Sequence, residues 1–272
     1  MTVSSQSSMA DVLVADKVSK TYADPGGKGI VLALSDISLA VRPHEFVSVI
    51  GPSGCGKSTF LRIVAGLDKP SSGEIRVSGH KVVGPGADRG MVFQEYALLP
   101  WKTTEANIEF GPMLKRLPKA QRREITQRFV DMVGLTGFEK KYPHQLSGGM
   151  RQRAAVARVL ANNPTILLMD EPFAAVDAMT RQHLQEELAA ITTAERTTVL
   201  FITHAIDEAV FLSDRVVALS GRPGRIVADL VIDLPRPRHW EAIVRDEKFA
   251  HYRDQLTQHI HASGAAHTEP TL

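Results

Sequence analysis

From Val12 onward the chain alternates apolar and polar residues at strand spacing, first in VLVADKVSKTY and then in LALSDISLAV. EFVSVIG, ending at Gly51, is apolar without interruption. Alternation marks a half-buried strand and a short continuous run a fully buried one, so three strands are predicted. ADPGGKG between the first two reads as a turn. STFLRIVAGL predicts a short helix that Gly66 ends and Pro70 follows, and residues 74–93 return to strand character. From about 103 to 160 the period becomes helical. QRREITQRFVDMVGL places Ile125, Phe129, Met132 and Val133 on one face, and MRQRAAVARVLAN runs from after Gly149 to before Pro164. Strands resume in TILLMD and TTVLFITH around a helix over 179–191, and DRVVALS with GRIVADLVIDL reads as a closing pair. WEAIVRDEKFAHYRDQLTQHI predicts one final amphipathic helix whose apolar face carries Trp240, Ile243, Phe249, Tyr252, Leu256 and Ile260. Packing on its own domain is the first reading of that face and a dimer contact the second. Strands and helices alternating in this way imply a mostly parallel, covered sheet, with ligands at the carboxyl ends of its strands.

The chain has 272 residues, 43% hydrophobic and 23% charged, as a folded globular protein would have. Its formal net charge of +2, carried by dispersed basic residues, gives no reason to expect a nucleic-acid partner. One cysteine, Cys55, excludes an internal disulfide and fits a reducing compartment. No apolar run approaches the ~18 residues needed to span a bilayer. The Ser-rich start lacks the apolar core of a secretory signal. Any membrane role is therefore expected to come through partner chains. The histidines after residue 238 show no tight metal spacing.

Three stretches carry chemistry. Residues 51–59, GPSGCGKST, fit G-x-x-x-x-G-K-[ST] between a strand and a helix. Gly51, Ser53, Gly54, Cys55, Gly56 and Thr59 belong to the expected nucleotide cradle, where glycines let backbone amides point at phosphate oxygens. The helix start adds positive potential. Lys57 supplies a mobile cation for the β- and γ-phosphates, and the Ser58 hydroxyl can ligate Mg²⁺. This loop alone leaves kinases, GTPases and transport ATPases open. Cys55, beside Lys57 at a helix start, is expected to have a lowered thiol pKa and to be a target for inactivating alkylation. TILLMDEP ends an apolar strand in Asp170, placed to hold Mg²⁺, and Glu171, which can act as general base toward an attacking water. In LSGGMRQR, Ser147, Gly148 and Gly149 start a helix and offer a second anion-binding terminus.

Taken in order, GPSGCGKST, Gln94, LSGGMRQR, ILLMDEP and His204 resemble the nucleotide-binding subunit of ABC transporters over roughly residues 12–225. The resemblance implies an α/β fold: a P-loop NTPase (RecA-like) core with an antiparallel β subdomain and an inserted α-helical subdomain. It divides the chain into a disordered tail over 1–11, an ATP-binding domain over 12–234 with its helical subdomain at about 100–163, a C-terminal amphipathic helical segment over 235–261 and a disordered tail over 262–272. It implies ATP and Mg²⁺ as ligands. It also implies a head-to-tail homodimer in which each ATP lies between one cradle and the other copy's Ser147, Gly148 and Gly149. Tyr22 resembles the aromatic that stacks on adenine. Gln94 resembles the residue touching Mg²⁺ and the attacking water. His204 resembles the switch contacting the γ-phosphate and Glu171, and Asp177 resembles the acidic residue of the loop crossing the dimer. Val176 stands where the family more often has Leu.

GADRGMVFQEYALLPWKT and SGRPGRIVADLVIDLPRPR resemble the nitrate/sulfonate/taurine branch of importers. The expected function is ATP hydrolysis powering import of a small anionic solute. The expected partners are transmembrane permease subunits and, indirectly, a substrate-binding protein, with the chain peripheral on the cytoplasmic face of the plasma membrane. The apolar stretch EYALLPWKT suits docking of a membrane-subunit helix or burial in the helical lobe. The alternative is a non-transport ATPase of the same superfamily acting on nucleic acid. The interval from Gln94 to Leu146 leaves room only for a small helical lobe, not for the long insertions of such proteins. A small-metabolite kinase would not need LSGGM, and a non-catalytic ATP-binding module would not need Lys57, Glu171 and His204 together.

Overall fold

The computed structural model describes residues 10–265 apart from 25, 26, 28, 94–96 and 175. Gln94 and most of both expected tails lie outside the described residues. Four strands, β1 (Leu13–Ala23), β2 (Ile30–Val41), β4 (Ser72–Val77) and β5 (His80–Lys81), form an antiparallel sheet in the order β2-β1-β4-β5. The second sheet has the order β10-β9-β3-β8-β7-β6. Its strands are β3 (Phe46–Ile50), β6 (Arg89–Val92), β7 (Ile166–Asp170), β8 (Val199–Ile202), β9 (Arg215–Leu219) and β10 (Ile226–Val231). All pairs in it are parallel except β9 with β10.

Every residue of β3 and β8 is buried, as the continuous apolar runs require of strands covered on both faces. Their side chains alternate between two cores. Phe46, Leu167, Met169, Val199, Phe201 and Val216 enter one. Val47, Val49, Ile166, Leu168, Leu200 and Val217 enter the other. The second core lies under α1 (Lys57–Val64) and the antiparallel sheet, through Phe60, Ile63, Leu13 and Ile75.

The first core lies under other helices, α2 (Thr104–Ile108), α4 (Lys119–Met132), α5 (Gly148–Leu160), α6 (Ala178–Ala194) and α7 (Ile206–Leu212) among them, while α3 (Phe110–Leu114) packs on α2, α4 and α5. The helical insert has no separate core. Ile108, Phe129, Val130 and Leu135 join the cluster that holds Phe201, and the predicted face is completed by buried Val133 with half-buried Ile125 and Met132. Buried Asn107 ties the preceding segment down, accepting from the Leu99 amide at 2.8 Å and donating to the carbonyls of Leu99, Lys102 and Thr103 at 3.0–3.2 Å.

The single terminal helix expected from Trp240 is two helices, α8 (Trp240–Ile243) and α9 (Glu247–Ala265). Asp246 makes the break. Its carboxylate accepts the Lys248 amide at 2.8 Å and its carbonyl the Ala250 amide at 3.3 Å, so it restarts the helix as a cap. Residues 262–265, expected in a disordered tail, continue α9. Trp240 stacks on Phe211 with ring centroids 4.2 Å apart and meets Phe249 edge-on at 6.1 Å. The apolar face of this segment therefore packs on its own domain. Buried Arg238 fastens the approach, donating to the carbonyls of Val210, Phe211 and Ser213 at the end of α7 and to Leu234. These carbonyls are the orphan acceptors of a helix terminus. Burial lowers the Arg238 pKa to about 10, which leaves it charged at neutral pH.

Leu256→Ala removes a fully buried side chain and should cost about 2–5 kcal/mol. Urea unfolding should show this loss equally at low and high protein concentration, because the contact is within one chain.

Candidate functional site

Strands β3, β7 and β8 are neighbours and run the same way, so the turns after them open on one edge. The turn after β3 is residues 51–56, closing into α1. Gly56 sits at φ 102°, and a Cβ there would lie 2.6 Å from Leu34 Cδ2, so the tight loop requires glycine. Lys57 is buried, and its Nζ donates to the carbonyls of Gly51 at 2.8 Å and Pro52 at 3.0 Å. The mobile cation expected from sequence is thus held inside its own loop.

The Ser58 hydroxyl donates to Asp170 Oδ1 at 2.9 Å, joining the start of α1 to the end of β7. Burial pushes the Asp170 pKa up, opposed by the Ser58 hydrogen bond and assisted by the neighbouring charge of Glu171. Glu171 itself has φ 44°, a left-handed conformation rare for a residue with a side chain. This turn ends the strand alternation and directs the carboxylate toward β8, where Oε2 lies 3.0 Å from His204 Nδ1. The His204 ring is exposed. Lys57, Ser58, Asp170, Glu171 and His204 thus converge at one edge, as their positions in sequence predict.

Other expected residues stand elsewhere. Ser147 caps α5, its Oγ accepting the Met150 amide at 3.2 Å. A Cβ on Gly149 would lie 3.5 Å from Leu184 and Thr180 of α6, so this helix start abuts α6. Asp177 caps α6, accepting the Thr180 amide at 3.1 Å, and that contact with Thr180 holds its carboxyl below the usual range. Among the described residues neither cap has a hydrogen bond to the cradle. Tyr22, at the end of β1, donates its hydroxyl to Asp68 at 2.8 Å, and the Lys20 ammonium lies 4.9 Å from its ring centroid.

Sequence reasoning missed the support beneath His204. Buried Glu208 on α7 accepts from the Thr203 hydroxyl and, at 2.6 Å, from Gln185 Nε2. Thr203 Oγ1 also accepts the Ala205 amide at 3.0 Å, so both residues flanking His204 are fixed. Burial pushes the Glu208 pKa up against those two hydrogen bonds. A cavity of 50 Å³ lies between Glu171, His204, Glu208 and Arg181, and Arg181 in turn donates to the Val176 carbonyl at 2.7 Å. Acidic residues within the apolar stretch AIDEAVFL were the one available signal, and it does not say which of them is buried.

Cys55 requires a correction. It is buried with no exposed surface, and burial pushes its thiol up more than Lys57, 4.0 Å away, pulls it down. The reactive thiolate expected beside a helix start is absent because the side chain faces the core under α1. Iodoacetamide should leave Cys55 unmodified in the native protein and label it stoichiometrically in denaturant, as read by intact-mass spectrometry.

Residues 34–174 match the family model described as ABC transporter. The chain is 54% identical over 244 residues to an uncharacterized ABC transporter ATP-binding protein of Methanocaldococcus jannaschii, covering 90% of this chain and 89% of that one. It is 45% identical over 250 residues to the nitrate import ATP-binding protein NrtD of Synechocystis sp., covering 90% and 94%. The fold is similar to a dimeric ATP-binding cassette in a post-hydrolysis state with ADP and Pi, with a TM-score of 0.69 at 33% identity over 82% of this chain and 100% of that one.

Proposed function

This chain belongs to the ABC transporter family as an ATP-binding subunit that hydrolyses ATP, and we propose that it powers import of a small anionic solute, such as nitrate, a sulfonate or taurine, through partner membrane subunits. The observation carrying the hydrolytic part is the Glu171–His204 pair at 3.0 Å beside the Ser58–Asp170 pair at 2.9 Å, all on the edge that bears the phosphate loop.

Each residue has a distinct task in this reading. The amides of residues 51–59 and the start of α1 hold the phosphates. Lys57 exchanges its two carbonyl partners for phosphate oxygens. Glu171 takes a proton from water as the water oxygen bonds to the γ-phosphorus and the bond to the β–γ bridging oxygen breaks, leaving ADP and phosphate. His204 holds the Glu171 carboxylate through Nδ1 and presents its other nitrogen to the γ-phosphate. Thr203 and Glu208 keep that ring in place. The oxygen donors Ser58 Oγ and Asp170 Oδ1 are the hard ligands Mg²⁺ takes, and they already face one another. Bound there, Mg²⁺ would offset phosphate charge.

The exposed caps at Ser147 and Asp177 support a head-to-tail pair, with Ser147, Gly148 and Gly149 of a second copy closing on the ATP. Tyr22, 38% exposed and with its hydroxyl held by Asp68, is the aromatic assigned to the adenine base in this reading. Among the described residues no helix is long and apolar enough to cross a membrane. This reading has the chain peripheral at the cytoplasmic face, attached to permease subunits near Trp101, which is 71% exposed beside the segment held by Asn107. A substrate-binding protein would supply the cargo. The anionic cargo is supported by the similarity to a nitrate import protein and by the stretch SGRPGRIVADLVIDLPRPR.

Glu171→Gln should retain ATP binding, slow turnover by about 10²–10⁴-fold and accumulate an ATP-dependent dimer on size-exclusion chromatography. A fast, monomeric Glu171→Gln protein would remove the proposed base. With its permease and binding protein in liposomes, ATPase activity should rise with nitrate or an alkylsulfonate and not with a neutral sugar. Stimulation by the sugar alone would refute the anionic cargo.

A further inference from the structure

Beyond its share in the resemblance that supports the cargo, the stretch SGRPGR has no residue assigned to the ATP site, yet it forms a built contact with the phosphate loop. It joins β9 to β10, and β9 lies parallel to β3 with Ala218 opposite Ile50, so the turn after β9 emerges next to the turn after β3. Ser220 fixes the turn. Its amide donates to the Arg225 carbonyl at 2.8 Å, and its Oγ accepts the Arg225 amide at 2.9 Å and reaches the Pro223 carbonyl at 2.9 Å. Gly224 ties the turn to β2, donating to the Ala33 carbonyl at 2.9 Å and accepting from the Ser35 amide at 3.0 Å. A Cβ on Gly224 would lie 2.2 Å from the Cys55 carbonyl oxygen, so only glycine allows this approach to the phosphate loop.

The turn presents two exposed cations, Arg222 and Arg225, and Arg222 is the one found against Gly54 of the phosphate loop. Arg222 is exposed, and its Nη2 lies 3.7 Å from the position a Cβ on Gly54 would take. Its side chain makes no hydrogen bond or ion pair among the described residues. Arg222 thus adds a second cation to the loop that holds Lys57 and leads into the positive start of α1, a concentration of charge that an anion would offset. A guanidinium suits phosphate because its donors form a planar fork.

We propose that Arg222 is a further nucleotide-contacting residue, binding the phosphate chain of ATP at the Gly54 end of the phosphate loop while Lys57 binds it from within. The proposal rests on the reading that residues 51–59 hold ATP. The turn is rigid on both flanks, so the guanidinium is positioned before nucleotide arrives. It acts on binding rather than on the Glu171 proton transfer.

Titration calorimetry with Mg²⁺-ADP and with a non-hydrolysable Mg²⁺-ATP analogue tests this on the full chain. Arg222→Gln should weaken both by about tenfold, as loss of a charge-assisted contact at an exposed site does, and should lessen the salt dependence of binding. Arg222→Lys should recover part of the loss. The KM for ATP should rise while kcat stays within about twofold. Thermal unfolding without nucleotide should be unchanged, which separates the effect from misfolding. Unchanged affinities in Arg222→Gln overturn the proposal, as does a loss confined to nucleotide-dependent dimerisation. Lys57→Ala separates the two readings. If it weakens binding and Arg222→Gln does not, only the Arg222 proposal fails. If neither does, the cradle reading fails with it.

Discussion

The burial of β3, β7 and β8 on both faces is the constraint from which the rest follows. Side chains alternate into two apolar cores, so the strands can neither slide nor tilt without moving large residues such as Phe201 or Met169 out of place. Because the strands are parallel, their carboxyl ends share one edge, where Asp170 ends β7, Glu171 and His204 follow β7 and β8, and Ser58 stands at the start of α1. Ser58 reaches Asp170 across this edge, and Glu171 reaches His204. The left-handed backbone at Glu171 is tolerated because the Ile202 carbonyl accepts its amide at 2.9 Å and holds the turn.

Polar groups buried near this edge serve orientation. Glu208 has two hydrogen-bond donors for its carboxylate, and through Thr203 it governs the peptide on either side of His204. Gln185 and Arg181 bring α6 into the same neighbourhood, and Arg181 holds the carbonyl of Val176, next to the exposed cap Asp177. The loop expected to meet a second copy is thus connected to the histidine by hydrogen-bonded and packed side chains. Farther from the edge, Arg238 gathers the carbonyls at the end of α7 and anchors the chain before it turns into α8.

The protomer carries two helix starts suited to anions, and they face different neighbours. The start of α1 lies in the cradle with Lys57 and Arg222 beside it, whereas the start of α5 abuts α6. A single chain therefore supplies complementary halves in different places, which is the geometric condition for a site completed by a twofold-related copy. In the proposed closed pair, removing the γ-phosphate would remove contacts made only there, which would give hydrolysis a mechanical consequence.

Much of this was legible in the residues themselves. Period-two and continuous apolar runs located the strands, and GPSGCGKST, ILLMDEP and LSGGM marked a tight turn, a strand end and a helix cap, because these are local properties. The pairings Ser58–Asp170 and Glu171–His204 were reachable through resemblance. Local pattern did not disclose that Cys55 turns into the core, that Lys57 is folded onto its own loop, or that Asp246 divides the last helix. It also did not show that Glu208 supports His204, or that Arg222 lies against Gly54. Each of these depends on which distant segment covers a residue and on what that covering does to its solvation. Sequence spacing determines which way a side chain can point along its own element; burial and pairing between elements, settled only when the sheets and helices close on one another, determine what it meets there.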